Sequence, residues 1–514
     1  MNHSRLPRHL GSYDAPSIST AWSATHGGSV RWLHHMMKTL SLIPFGLALL
    51  VPVLAPAADA LRPNIIVLMA DDLGYGDLGG AWGGQAKTPH LDQLAREGLR
   101  FTDFHSNGPV CTPTRAALMT GRYAQRLGVT KAFNHRYDYT GWEGRGIAAE
   151  HNRGEVTVAT RLRGVGYVNG IFGKWHLGKH PDANPVRHGF DEFRGLTCGC
   201  GDYFSKLTRY GEPDWWHNDK LEFQPGYVTT VTSDNALRFI ERHAGRPFFL
   251  YVPYSAIHFP WQGPEDGALP ARREGKPVDK PGETSKVGPH ENAEEVPAVA
   301  RRMIEEMDAG VGRIVTALRQ RGLDKNTLVV FTSDNGGYST YPYKGTRVAI
   351  SSNGPLRGGK GQVYEGGHRV STIAWWPGRI APGRVTHQTA ITMDLVPTAL
   401  ELAGVKAPAA DGPNRLDGIS LVPLLLRNEP LPARTLFWQS PASPEAASRK
   451  GVRQGPWKLV ENELYNLADD VAESRDLASQ RPEIVRELKA KLAAWEKDVM
   501  RAVPPPPKAN AKKL

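Results

Sequence analysis

Short apolar runs recur along this chain, and each breaks off at polar residues able to do chemistry. Residues 64–70 run into Asp71-Asp72, 327–331 lead to Asp334-Asn335, 167–172 lead to Lys174 and His176, and 248–252 precede His258. Their apolar character is continuous rather than alternating, which predicts strands covered on both faces, as in a parallel sheet between helices. Helical periodicity lies between them at 89–97, 112–122, 156–163, 231–243, 296–321 and 393–403. The alternation predicts an α/β domain over residues 61–425, a mostly parallel central sheet sandwiched by helices. Ligands in open α/β sheets gather beyond the carboxyl ends of the strands, so all four polar termini are expected at one edge.

The pattern changes after the Pro-containing stretch 429–444. Residues 451–460 read as two strands joined by Gly455-Pro456, 463–467 as a third, and 482–500 as an amphipathic helix. A smaller C-terminal antiparallel sheet plus helix is predicted for 426–502, followed by a disordered tail at 503–514. Residues 262–292, rich in Gly, Pro and charge, are expected to form an exposed loop near the site.

Length, charge and cysteine content narrow the class. A chain of 514 residues is too long for one core. Three cysteines make no disulfide scaffold, and Cys198 and Cys200 lack the spacing of a zinc site, so they read as structural. Within an N-terminal extension over 1–60, residues 36–60 carry one basic residue, a short apolar stretch broken by Pro44 and Pro52, and Ala58-Asp59-Ala60. That is the layout of a cleaved secretory signal, so the mature protein is expected to be exported, periplasmic or secreted, without stable membrane insertion. The formal net charge of +11 favours polyanions such as sulfated glycans by steering. No basic helix or aromatic-basic ribbon points to nucleic acid.

The densest chemistry is the run Cys-Thr-Pro-Thr-Arg-Ala-Ala-Leu-Met-Thr-Gly-Arg at 111–122. Pro113 suits a first helical turn and residues 116–119 are good helix formers, which puts Cys111 at or just before a helix N-terminus. Free amides and the positive end of the dipole favour an anion there, and Arg115 adds charge-assisted donors. Asp71-Asp72 and Asp334-Asn335 supply hard oxygen ligands suited to Ca²⁺ or Mg²⁺.

Together with 71–77, 173–178, 333–337, 356–361, 455–458 and 464–467, the Cys111 run resembles the type I sulfatases of the arylsulfatase group, within the alkaline-phosphatase-like superfamily. The resemblance implies an alkaline-phosphatase-like fold and a formylglycine (3-oxoalanine) made from Cys111 by a formylglycine-generating maturation enzyme. It implies one Ca²⁺ held by Asp71, Asp72, Asp334, Asn335 and residue 111. It further implies that Arg115 and His176 bind and tune the formylglycine, and that Lys174, His258 and Lys360 contact sulfate and leaving group. In an extended segment Lys174 and His176 point to the same side, so both would face one anion. The expected activity is a sulfuric ester hydrolase acting on carbohydrate sulfates, with aryl sulfates as surrogates. Two other readings remain open: a formylglycine-dependent phosphonate monoester or phosphodiester hydrolase, and a non-catalytic binder of sulfated glycans whose Cys111 stays a thiol. The chain departs from the family pattern at 195–204, Gly-Leu-Thr-Cys-Gly-Cys-Gly-Asp-Tyr-Phe, where a hydroxyl-bearing sulfate contact is often found.

Overall fold

The computed structural model describes residues 62–133, 146–148, 155–208, 211–268, 272–273, 276–277, 292–343, 346–441 and 449–500. The N-terminal extension with its signal, most of the 262–292 loop and the 503–514 tail lie outside the described residues. No helix among the described residues is long and apolar enough to cross a membrane.

Ten strands form the main sheet: β1 (Asn64–Ala70), β2 (Leu99–Phe101), β3 (Val168–Lys174), β4 (Glu192–Leu196), β5 (Trp216–His217), β6 (Lys220–Leu221), β7 (Phe248–Pro253), β8 (Thr327–Ser333), β9 (Thr372–Trp375) and β10 (Arg384–Thr386), in spatial order β10-β2-β9-β8-β1-β7-β3-β4-β5-β6. The strands expected from the apolar runs are the adjacent centre, β8-β1-β7-β3, and all pair in parallel. Ala70 lies beside Ser333 in the β1–β8 register, so the two acidic pairs leave the sheet side by side.

The side chains of β1 divide alternately between two cores. Ile66, Leu68 and Ala70 pack with Leu91 and Leu94 of α1 (Pro89–Glu97) and with the helices over 228–242 and 296–320, whereas Ile65, Val67 and Met69 face the opposite layer with Ala116 and Leu118 of α2 (Cys111–Thr120) and Leu162 of α3 (Val158–Arg163). Each such side chain removed from water contributes roughly 1.5–3 kcal/mol. Burial on both faces is why these runs carry no polar alternation. On the first layer lie α4 (Val228–Arg242) and α5 (Val296–Gln320), with Phe239, Ile240, Met303 and Met307 inward. On the second lies α6 (Leu395–Leu402).

Helix α4 starts three residues before its sequence expectation. Its first turn, rich in β-branched residues, has low intrinsic propensity, but Val228, Thr229 and Val231 are buried and packing overrides that cost. The helix expected over 393–403 opens as a tight 3₁₀ turn, Thr392–Asp394, before α6.

The C-terminal region is an antiparallel sheet covered by a helix, as predicted, but with four strands instead of three: β11 (Thr435–Gln439), which forms inside the Pro-containing stretch 429–444, β12 (Lys450–Gln454), β13 (Trp457–Val460) and β14 (Glu463–Asn466), with α7 (Pro482–Met500). Val452, Leu459 and Leu464 pack on Leu488 of α7. Leu436 and Trp438 instead share a cluster with Ala117 of α2, which seats this sheet behind the Cys111 helix.

Candidate functional site

Asp71 and Asp72 follow β1, Asp334 and Asn335 follow β8, Lys174 ends β3, and Cys111 opens α2, all fully buried. Asp72 takes a left-handed backbone (φ 61°), a conformation Asp tolerates better than most residues, and so turns the chain sharply off the sheet edge. Its amide donates to Asp334 Oδ1 at 3.2 Å.

Charges balance inside this dry site. Arg115 donates to Asp334 Oδ2 from Nε (3.0 Å) and Nη2 (2.7 Å) and to the Lys174 carbonyl from Nη1 (3.0 Å). Lys174 is ion-paired with Asp71, and Lys360 with Asp72. Burial pushes the Asp334 carboxyl up, but Arg115 and Lys174 outweigh it and hold the group below its usual range; Asp71 goes the other way, raised by burial and by the charge on Asp334. Burial alone would lower the Lys360 ammonium, yet Asp72 raises it well above the ordinary lysine value. His258 is driven well below the usual imidazole range by burial, then by Lys174 and Lys360, so it is neutral. Its Nδ1 donates to the Phe259 carbonyl at 2.8 Å, which leaves Nε2 as the basic nitrogen, 3.7 Å from Asp72 Oδ2.

Cys111 Sγ lies 3.5 Å from Asp71 Oδ1 and 3.4 Å from Lys360 Nζ. Burial pushes its thiol far above the ordinary range, which makes it a poor thiolate nucleophile. Ligand atoms of Asp71, Asp72, Cys111 and His258 all lie within 4.8 Å of one another. Two buried oxygens in this cluster, Asp72 Oδ2 and Asn335 Oδ1, have no hydrogen-bond partner among the described residues. Asn335 Nδ2 is committed to Asp72 Oδ1 at 2.8 Å and to the Gly336 carbonyl at 2.9 Å. Orphaned hard oxygens among carboxylates fit a Ca²⁺- or Mg²⁺-type cation.

A cavity of about 240 Å³ opens onto Cys111 and is lined by His176, His258 and Lys360 together with Phe133, Cys198, Cys200, Thr208, Phe259 and Tyr338. Arg115 and Lys174 are not among its lining residues; they are buried and ion-paired with Asp334 and Asp71. Lys174, at the end of β3, is ion-paired with Asp71, and His176, two residues on with a left-handed backbone (φ 57°), lines the cavity. His176 Nε2 donates to the Phe133 carbonyl at 3.1 Å, which would put the lone pair on Nδ1 whenever the ring is neutral. Gly199 packs flat against that ring; a Cβ there would sit 2.4 Å from His176 Cε1.

Cys198 and Cys200, read from sequence as structural, line the cavity wall and form no disulfide among the described residues. The departure at 195–204 marked them. Tyr338 was also missed; the signal was its position directly after 333–337. Phe133 carries no sequence signal, since it reaches the site only by folding across 43 positions to His176.

The family model for sulfatases matches residues 63–405, and that for the C-terminal region of N-sulphoglucosamine sulphohydrolase matches 359–498. Arylsulfatase A of Bos taurus is 36% identical over 438 residues, covering 79% of this chain and 76% of that protein. N-acetylgalactosamine-6-sulfatase of Rattus norvegicus is 38% identical over 400 residues, covering 74% and 70%. Among solved structures, Ps i-CgsB in complex with k-i-k-neocarrahexaose superposes with a TM-score of 0.71 at 28% identity, covering 86% of this chain and 94% of that one.

Proposed function

Since the chain belongs to the sulfatase family and is a sulfatase, we propose that it is an exported, Ca²⁺-dependent enzyme that uses a formylglycine at position 111 to hydrolyse sulfate esters of carbohydrates. The observation that carries this reading is the placement of residue 111 at the start of α2, within ligand reach of Asp71, Asp72 and His258 at the carboxyl edge of the sheet. Its resemblance to an N-acetylgalactosamine-6-sulfatase and to a structure holding a hexaose supports a sugar substrate.

A cation held by Asp71, Asp72, Asp334, Asn335 and residue 111 would draw charge off a bound sulfate as a Lewis acid. A hydrated aldehyde at 111 supplies two hydroxyls on one carbon, one to attack sulfur and one whose deprotonation lets sulfate leave. The remaining work falls to the chain's own side chains. Arg115 and Lys174 hold the carboxylates of Asp334 and Asp71 in place. Lys360 stays protonated and presents its charge to sulfate and to the leaving oxygen. His258 and Lys360, both lining the cavity, are the two donor candidates for the leaving group. His176, with the lone pair on Nδ1 when the ring is neutral, is the group suited to remove a proton from residue 111. The aromatic wall of Phe133, Phe259 and Tyr338 offers ring faces for a sugar or an aryl group.

The test is co-expression with a formylglycine-generating enzyme, mass spectrometry of the peptide carrying residue 111, and rates on 4-nitrophenyl sulfate and 4-nitrophenyl phosphate with and without a chelator. Sulfur replaced by oxygen at 111 and a chelator-sensitive preference for sulfate are expected. Preference for the phosphorus ester would assign the site to phosphonate or phosphodiester hydrolysis. An unmodified thiol in an inactive, glycan-binding protein would make it a binder.

A further inference from the structure

Two motifs, 455–458 and 464–467, lie outside the cavity, yet their side chains converge on the segment that carries Lys360. We propose that Lys458, acting with Arg357, is a positioning residue for Lys360: the C-terminal sheet grips both ends of residues 356–368 and so sets where that ammonium stands. The inference rests on the reading of Lys360 as a sulfate and leaving-group contact.

On the cavity side the segment is tied through its backbone, Lys360 N to the Gly337 carbonyl (3.0 Å) and Gly361 N to the Pro109 carbonyl (2.8 Å), and through the Lys360 ammonium itself, which is ion-paired with Asp72. On the other side it is tied by charge. At its start, Arg357 Nη1 donates to the Tyr465 hydroxyl (2.7 Å) and the Glu473 carbonyl (2.9 Å), with its guanidinium 3.9 Å from the centre of the Tyr364 ring. At its end, the short helix Glu365–His368 is caught by Lys458, whose Nζ lies 2.8 Å from Glu365 Oε1, 2.8 Å from Glu473 Oε1 and 3.0 Å from His368 Nε2. The buried ammonium hydrogen-bonds Glu365 and is ion-paired with both carboxylates. The Glu365 amide donates to Glu473 Oε2 at 2.6 Å.

The two ends are buckled together by Gly366 N on the Arg357 carbonyl (2.8 Å), so closely that a Cβ at Gly366 would lie 2.4 Å from the Gly358 carbonyl oxygen. Without Lys458, Glu365 and Glu473 would face each other in the dry interior and repel. The segment would shift as one body, carrying Lys360 away from Asp72 and Cys111.

The experiment compares R357Q, K458M and K458R, each alone and over K360Q, by kcat/KM on 4-nitrophenyl sulfate and by thermal midpoint, in matured enzyme. If both act through Lys360, R357Q and K458M lower kcat/KM on the order of tenfold or more alone and by less than about twofold over K360Q, and K458R recovers most of the loss. Equal losses in both backgrounds overturn the positioning role and leave a purely structural one. Should K458M not fold, R357Q, at a partly exposed residue, carries the same comparison. A wild type with no turnover of aryl sulfates would instead overturn the sulfatase reading of the site itself.

Discussion

Arg115 places two donors on one oxygen of Asp334, Nε at 3.0 Å and Nη2 at 2.7 Å, with both side chains fully buried. A lysine cannot reproduce that fork. R115A would leave an unpaired carboxylate in the interior and should destabilise the fold by roughly 3–5 kcal/mol in urea unfolding. R115K should keep more stability yet lose at least about tenfold in kcat/KM, because Asp334 loses its orientation. Wild-type kcat/KM in R115K would show that the fork is not needed.

The buried, neutral thiol of Cys111 is the wrong nucleophile for a sulfate ester. C111A should abolish turnover with little change in thermal midpoint, and C111S should do the same in a host whose maturation enzyme requires cysteine. Substantial residual activity in C111A would contradict the proposed chemistry.

Asp72 Oδ2 and Asn335 Oδ1 await a partner. Added Ca²⁺ should therefore raise the thermal midpoint of chelator-treated protein, with a stabilisation of about 2.7 kcal/mol at a hundredfold excess over Kd. D334A should reduce both that shift and activity. A midpoint indifferent to Ca²⁺ in wild type would refute the site.

Gly199 leaves no room for a side chain against His176. G199A should push the imidazole off its place and cost on the order of tenfold or more in kcat, with folding largely retained. Unchanged kcat would remove His176 from the chemistry.

Stability should fall with acid through the joint between the two sheets. His105 and His368 are held below the ordinary imidazole range by burial, with Lys458 adding to the effect at His368. Asp103 and Glu365, which burial alone would raise, are held well below the carboxylate range by Arg453 and Lys458 respectively. All four thus take up protons less readily folded than unfolded. Their contribution is complete above the unfolded imidazole value of 6.5 and is lost as pH falls, first through the histidines and then through the carboxylates. Each neutral buried imidazole contributes a slope of up to about 1.4 kcal/mol per pH unit. Urea titrations of wild type and H368Q between pH 7 and 4 check this: H368Q should show the shallower slope, and identical slopes would contradict it.

The four central strands and the residues at their carboxyl ends were legible because each signal is local. An apolar run of five to seven residues announces a strand buried on both faces, and the polar residue that ends it is next in the chain. The same local logic does not reach the left-handed backbone at His176, nor the cavity wall of Phe133, Tyr338, Cys198 and Cys200, because lining a cavity is not a property of any short stretch.

By itself, then, the order of residues determined the four central strands, which groups leave their carboxyl ends, and that residue 111 starts a helix, all consequences of periodicity and backbone preference within one or two turns. Only the tertiary structure decided which cation pairs with which carboxylate, and that the C-terminal sheet braces the Lys360 segment. Arg115 and Asp334 are 219 positions apart, and Lys360 and Cys111 are 249 apart. Pairing across such distances is chosen by burial, where a charge without its partner is too costly to keep, and burial is a property of the assembled fold.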